Sequence, residues 1–215
     1  MYTTKGSKVH LHVKEYASIY MFVSLLFLIG IVFGAVIVNS MNFIQKQDLF
    51  FYLDRFFGQV LVDPVTSSGS LLKSSLLYHL QYLLVLFVLG MSIIGMPIIW
   101  VLIFMKGVVV GFSVGFLVNQ MGWYGLLTAA ASIAPQNMII IPVYIIAGSV
   151  SMVFSFALIG KLVAKRIQQP LLPVFVRYAT LFAILLAVVS VGAVVESYVA
   201  PNVLKSVLQL VYNSN

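Results

Sequence analysis

Four stretches of this chain carry no charged side chain: 16–45, 74–105, 107–160 and 178–195. A membrane span needs about 20 consecutive apolar residues. The runs are continuous rather than alternating, which argues against the dyad pattern of a membrane β-barrel. Only 8% of the 215 residues are charged and 62% are hydrophobic, against roughly 25% charged in a soluble domain. The expected fold class is therefore all-α: a polytopic membrane protein of about five transmembrane helices, forming one integral membrane domain over residues 1–215. With no cysteine in the chain, disulfide and thiolate chemistry are excluded.

The run from Tyr16 to about Val38 follows a basic tail with Lys5, Lys8 and Lys14. It is longer than the apolar core of a signal peptide and lacks a small-residue cleavage site, so it reads as a retained first span. Lysine and arginine near span ends favour the cytoplasmic side. That rule places residues 1–15 inside as a cytoplasmic tail, 40–79 outside, a second span at 80–105, and Lys106 inside. Two crossings over 107–160 and a fifth over 177–198 then leave 200–215 as an outer tail. On this assignment eight basic residues lie inside (Lys5, Lys8, Lys14, Lys106, Lys161, Lys165, Arg166, Arg177) and four outside (Lys46, Arg55, Lys73, Lys205). The net charge of +7 then reflects orientation in the bilayer. No basic stripe interleaved with aromatics is present, so nucleic acid is not an expected partner.

Within 107–137 the apolar run is interrupted. Asn119, Gln120 and Gly122 break it once, and Pro135, Gln136 and Asn137 break it again. Two short pieces in succession point to a broken or re-entrant segment, with the four amides as intramembrane polar groups. One tilted span with a loop at Asn119-Gln120 is the plainer alternative. Backbone of that kind is tolerated at depth only where protein buries it or water reaches it.

Outside the spans, Leu49, Phe50, Leu53, Phe56, Phe57, Val60 and Leu61 project onto one helical face, with Asp48, Tyr52, Arg55 and Gln59 opposite. This predicts a short amphipathic outer helix lying on the lipid surface or against a partner. Phe50, Phe56 and Phe57 are its candidate partner-binding residues. A similar pattern recurs in the tail, where Val203, Leu204, Val207, Leu208 and Val211 oppose Lys205, Ser206 and Gln209.

Chemistry is sparse. Gly111-Phe112-Ser113-Val114-Gly115 matches the G-x-S-x-G nucleophile elbow, but that motif needs a strand-to-helix turn and downstream partners. Here it lies in an apolar helix and all three histidines, His10, His12 and His79, are upstream. No span interior holds a pair of acids, and His10-Leu11-His12 alone is a weak metal signal. Lys106 and Glu196 fall at expected span ends, where snorkelling accounts for them. No catalytic residue, metal site or cofactor is expected.

What remains is packing. Gly107, Gly111 and Gly115 recur every fourth residue, and Gly30 and Gly34 do the same in the first span. In lipid, small residues spaced by four let helix backbones approach closely. The stripes can serve internal packing or contact with another protein.

Several segments carry a specific likeness. Asn39-Ser40, QKQDLFFYLDRFFGQV at 45–60, KGVVVGFSVGFLVNQMGW at 106–123 and APQNMIIIPVYIIAG at 134–148 closely resemble the stage II sporulation protein M family of endospore-forming bacteria, over roughly residues 15–166. The resemblance implies a non-catalytic multi-span scaffold. Its implied partners are two cell-wall hydrolases, stage II sporulation proteins D and P. Its implied place is the mother-cell membrane at the sporulation septum, in septal wall thinning and forespore engulfment. The wider superfamily tends to carry proline–histidine–glycine followed by an acid, where this chain has Pro135-Gln136-Asn137 and Ile140. Its amides can still hydrogen-bond across helices. A channel or transporter subunit built on the interrupted 107–137 region is the competing expectation. Oligomeric state is left open.

Overall fold

The computed structural model describes residues 16–62, 68–164 and 171–213. The described residues form helices α1 (Ala17–Ser40), α2 (Phe43–Val62), α3 (Ser68–Gly90), α4 (Gly95–Ser132), α5 (Ala134–Ala164), α6 (Leu171–Val194) and α7 (Ala200–Asn213). A π-helical turn, Val195–Val199, joins α6 to α7. No strand occurs among them. Five helices are long and apolar enough to cross a membrane: α1, α3, α4, α5, and α6 with its continuation to Gln209. The chain is a multi-pass helical membrane protein, as its apolar runs predict. The basic tail 1–15 and the connector at 63–67 lie outside the described residues.

The second span is not 80–105. The chain ends α3 at Gly90, turns over Met91–Ile94, and restarts at Gly95. Met91, Ile93 and Ile94 are apolar, so hydropathy runs unbroken through a turn. Glycine marks its two ends. Pro97 sits in the first turn of α4, where its missing N–H has no helical partner to lose. A helix end in lipid leaves carbonyls that need donors. Here α5 and α6 supply them. Ser155 Oγ shares its one hydrogen between the Gly90 and Ser92 carbonyls, at 3.1 and 2.7 Å. Tyr178 OH donates to the Phe87 carbonyl at 2.9 Å, and Ser151 Oγ to that of Leu86 at 3.0 Å.

This shift moves two residues. The outer segment expected over 40–79 ends before α3, so His79 lies inside a span. Lys106 is eleven residues into α4 rather than at a span end. At ~1.5 Å per residue, His79 and Lys106 are each about 16 Å from the turn, half the thickness of a hydrocarbon core of about 30 Å.

The closest packing is between α1 and α4. A Cβ on Gly30 would overlap the Phe104 carbonyl and come within 3.1 Å of the Gly107 Cα. A Cβ on Gly34 would meet the Val108 carbonyl, one on Gly107 that of Phe27, and one on Gly111 that of Ile31. Gly115 is looser, with the Ala35 Cα at 3.2 Å. All five glycines of the two stripes therefore face each other across one internal interface. An edge contact of Phe22 with Trp100 and a tilted contact of Phe33 with Phe104 flank it.

Helix α4 is broken at Gly122, whose φ of 57° and ψ of −128° leave the helical region. Glycine has no Cβ to oppose that conformation. The chain folds back there, bringing Gly125 against the Leu117 carbonyl. A second break at Ile133 precedes α5. The first break falls at Gly122, within the Asn119–Gly122 interruption, whereas the second falls at Ile133, ahead of Pro135, Gln136 and Asn137, which lie in the first turn of α5.

At the end of the bundle away from the Gly90–Gly95 turn, α2 and α7 pack together over α4. Phe57, Leu117, Ala129, Leu204 and Leu208 form a separate buried cluster there. Leu204 and Leu208 come from the apolar face expected of the tail.

Candidate functional site: a histidine–glutamate–lysine–tyrosine cluster at mid-depth

Of the polar groups that the fold gathers, the sequence reading named Lys106 and Glu196 as span-end residues and His79 as an upstream histidine. Helix α3 contributes Ser75, Tyr78, His79 and Tyr82, in which Ser75 and Tyr82 each stand three or four residues from both Tyr78 and His79. Helix α4 contributes Lys106, α5 contributes Tyr144, and the π turn contributes Glu196. His79 is 3% exposed and Tyr144 1%.

His79 is held on both sides. Its Nδ1 lies 2.5 Å from the Tyr144 hydroxyl and its Nε2 lies 3.1 Å from Glu196 Oε2. Ser75 Oγ donates to the same carboxylate oxygen. With the carboxylate accepting from Nε2–H, Nδ1 is the acceptor and Tyr144 the donor. The result is a continuous hydroxyl–imidazole–carboxylate relay across three elements.

Beside it stands Lys106. Its ammonium donates to the Tyr78 hydroxyl at 3.2 Å. It also lies over three tyrosine rings, 4.6 Å from the centroid of Tyr78, 5.0 Å from Tyr144 and 5.6 Å from Tyr82. A ring quadrupole attracts a cation by roughly 0.5–2 kcal/mol, most when water is excluded. Three rings together replace part of the hydration that lysine loses at this depth. Tyr82 is fixed by its own bond to the Leu102 carbonyl, 2.9 Å away.

The π turn aims Glu196. Pro201 has no N–H to offer the carbonyl four residues back, at Ser197. The Ala200 N–H bonds instead to Val195, five residues back. That wider turn presents Glu196 to α3. Such π-helical turns occur frequently at functional sites.

The residues expected to carry function fall elsewhere. Asn119 and Gln120 sit just before the Gly122 break, with a single 3.4 Å contact between their side chains. Gln136 Nε2 and Asn137 Nδ2 do not reach across helices. They donate to the Ser132 and Ile133 carbonyls four residues back, at 2.7 and 2.8 Å. The amides thereby serve the backbone at the break, where carbonyls would otherwise be short of donors. Ser113 Oγ bonds to the Val109 carbonyl at 2.9 Å within a regular helix, which is the geometry of a helical serine and not of an elbow. Among the aromatics of α2, Phe57 is 4% exposed and faces the molecule's own core, Phe50 is half-buried, and Phe56 is 51% exposed. Among the described residues no group of three or more His, Asp and Glu could hold a metal ion.

The cluster escaped the sequence reading because one misplaced turn moved Lys106 to an end and His79 out of the span. A signal was available. Gly90 and Gly95 bracket four residues, and His79 and Lys106 lie eleven residues to either side of them. A hairpin with that centre necessarily brings the two to one level.

The fold and the cluster together define a multi-pass α-helical membrane protein with an ionisable group of side chains inside its bundle. The family model described as stage II sporulation protein M matches residues 23–201, and the chain belongs to that family. It is accordingly a sporulation-related membrane protein. No curated protein and no solved structure matches the chain.

Proposed function

We propose that this protein is a non-catalytic membrane scaffold that assembles and localises peptidoglycan hydrolases, stage II sporulation proteins D and P, at the sporulation septum. There it supports septal wall thinning and forespore engulfment from the mother-cell membrane. The observation that carries the reading is the platform at the end of the bundle. Phe57, Leu204 and Leu208 pin α2 and α7 to the end of α4. That leaves Phe43, Phe51, Tyr52 and Phe56 of α2 between 51% and 75% exposed. Exposed aromatics on a rigid support are common anchors of protein interfaces. The positive-inside rule puts this platform on the extracytoplasmic side, where wall hydrolases work. The test is purification from sporulating cells in mild detergent, with identification of the proteins that accompany it. Recovery of the two hydrolases supports the scaffold, and their absence from a stable, folded preparation overturns it.

A channel or transporter subunit is favoured by one observation, the ionisable cluster at mid-depth, since such groups mark substrate and proton paths in many membrane proteins. The cleft beside the interrupted region speaks against it. It measures about 560 Å³ and is lined by Val110, Val114, Ala130, Ile141 and other apolar side chains, with Asn137 as its polar member. Solute flux through reconstituted liposomes would favour this second reading.

A further inference from the structure

We propose that the Tyr144–His79–Glu196 relay is a proton-binding site open to one face of the membrane only, the face that carries α2 and α7, with His79 as the group that holds the proton. The proposal stands whether or not the protein recruits hydrolases.

Geometry defines both states. In the neutral state Nε2–H donates to Glu196 and Nδ1 accepts from Tyr144, over 3.1 and 2.5 Å. On uptake of a proton from water, Nδ1 gains the hydrogen. The imidazolium then donates from both nitrogens, and the Tyr144 hydroxyl hydrogen turns away so that its oxygen accepts. No bond other than the new N–H forms. The Glu196 carboxylate, already in contact, becomes the counter-ion, so the hydrogen bond between α3 and the π turn becomes an ion pair. The other charged or titratable groups facing the relay are Lys106 from α4 and Tyr78 and Tyr82 from α3 itself. Helix α6 places Tyr178 two turns nearer Gly90, beside Phe87, and α7 places Lys205 beyond the π turn.

The access is one-sided. Glu196 has 39% of its side chain exposed, and Ser75, bonded to it, lies one turn from His79 toward the start of α3. In the other direction the relay stops. Tyr144 belongs to one buried core cluster with Leu83, Leu86, Ile103 and Val143. Further along α5, Ser149 Oγ is buried without a hydrogen bond, and Ser151 is committed to the Leu86 carbonyl and Tyr178. Among the described residues no hydrogen bond carries the chain from Tyr144 toward the Gly90–Gly95 turn. A proton can therefore arrive and leave by Glu196 but has no route through. This is a binding site and not a conduit.

The test uses the full chain with His10→Gln and His12→Gln, which leaves His79 as its sole histidine, reconstituted in oriented liposomes. Nitrogen-15 imidazole spectra should show the Nε2–H tautomer at high pH and a doubly protonated ring after acidification on the α2/α7 side. Acidification of the opposite side alone should leave the spectrum unchanged. An indicator dye should record uptake of about one proton per chain, with no steady acidification of the lumen. Glu196→Gln keeps an acceptor for Nε2–H but removes the counter-ion, so it should reduce the proton uptake while the protein stays folded, and unchanged uptake would count against the assigned role of the carboxylate. A ring that remains neutral on acidification, one that responds equally from both sides, or sustained proton flux through the protein would each overturn the proposal. His79→Gln, where it folds, should eliminate the uptake, and unchanged uptake in that variant would also overturn it.

Discussion

Each glycine of the α1–α4 interface has a calculable consequence for substitution. In a helix interior glycine is about 1 kcal/mol less favourable than alanine, so alanine gains wherever a Cβ has room. At Gly58 a Cβ would meet nothing within 4 Å. Gly58→Ala should raise thermal stability slightly. At Gly111 the Cβ would overlap the Ile31 backbone, which no rotamer change can relieve. Gly111→Ala should lose on the order of 1–3 kcal/mol, as overpacking typically does. Gly115→Ala should fall between, since its nearest atom, the Ala35 Cα, is 3.2 Å away. Thermal melts of the purified protein in detergent check the order, and equal losses at Gly58 and Gly111 would remove the close-approach explanation. The stripes were legible because a period of four glycines in an apolar run has few other uses. That they face each other was not, because sequence spacing fixes a face and not its partner.

At the scale of elements, the turn between α3 and α4 organises the interior. Its carbonyls depend on Tyr178 and Ser155, two residues that read in the sequence as ordinary polar members of apolar helices. Tyr178→Phe removes the donor to Phe87 and keeps the ring stack with Phe154, whose centroid is 4.3 Å away. It should destabilise by roughly 0.6–2 kcal/mol, the usual range for a hydrogen bond between membrane helices. Ser155→Ala should cost a similar amount, since one hydroxyl hydrogen is shared between two carbonyls. Chemical denaturation in mixed micelles measures both, and a silent Ser155→Ala would mean that water satisfies the turn. The apolar runs disclosed the helices but concealed this turn. Hydropathy records what lipid tolerates, and a turn of methionine and isoleucine is tolerated as well as a helix when its backbone is bonded by neighbours. The same blindness hid the cluster, whose members are scattered from Ser75 to Glu196 and meet only through tertiary packing.

At the scale of the whole molecule, moving Lys106 to mid-depth leaves seven basic residues on the inner side, Lys5, Lys8, Lys14, Lys161, Lys165, Arg166 and Arg177, against Lys46, Arg55, Lys73 and Lys205 outside. The positive-inside rule therefore still favours the same orientation, with the N-terminus expected inside and α2 outside. The native chain has no cysteine, so single cysteines report cleanly. Gly58→Cys should react with an impermeant maleimide in intact cells, and Met91→Cys only after permeabilisation. A Met91→Cys that stays unreactive after permeabilisation would place residue 91 inside a span, as the uncorrected reading had it.

The central claim is that the exposed aromatics of α2 form the surface on which wall hydrolases assemble. A photo-crosslinking amino acid at Phe56, 51% exposed on the platform, and another at Leu25, 57% exposed on the lipid-facing side of α1, test it most directly in sporulating cells. Adducts with stage II sporulation proteins D or P at position 56 and none at position 25 are the predicted result. No hydrolase adduct at position 56 of a stable, membrane-inserted protein, or adducts at position 25 alone, would contradict it.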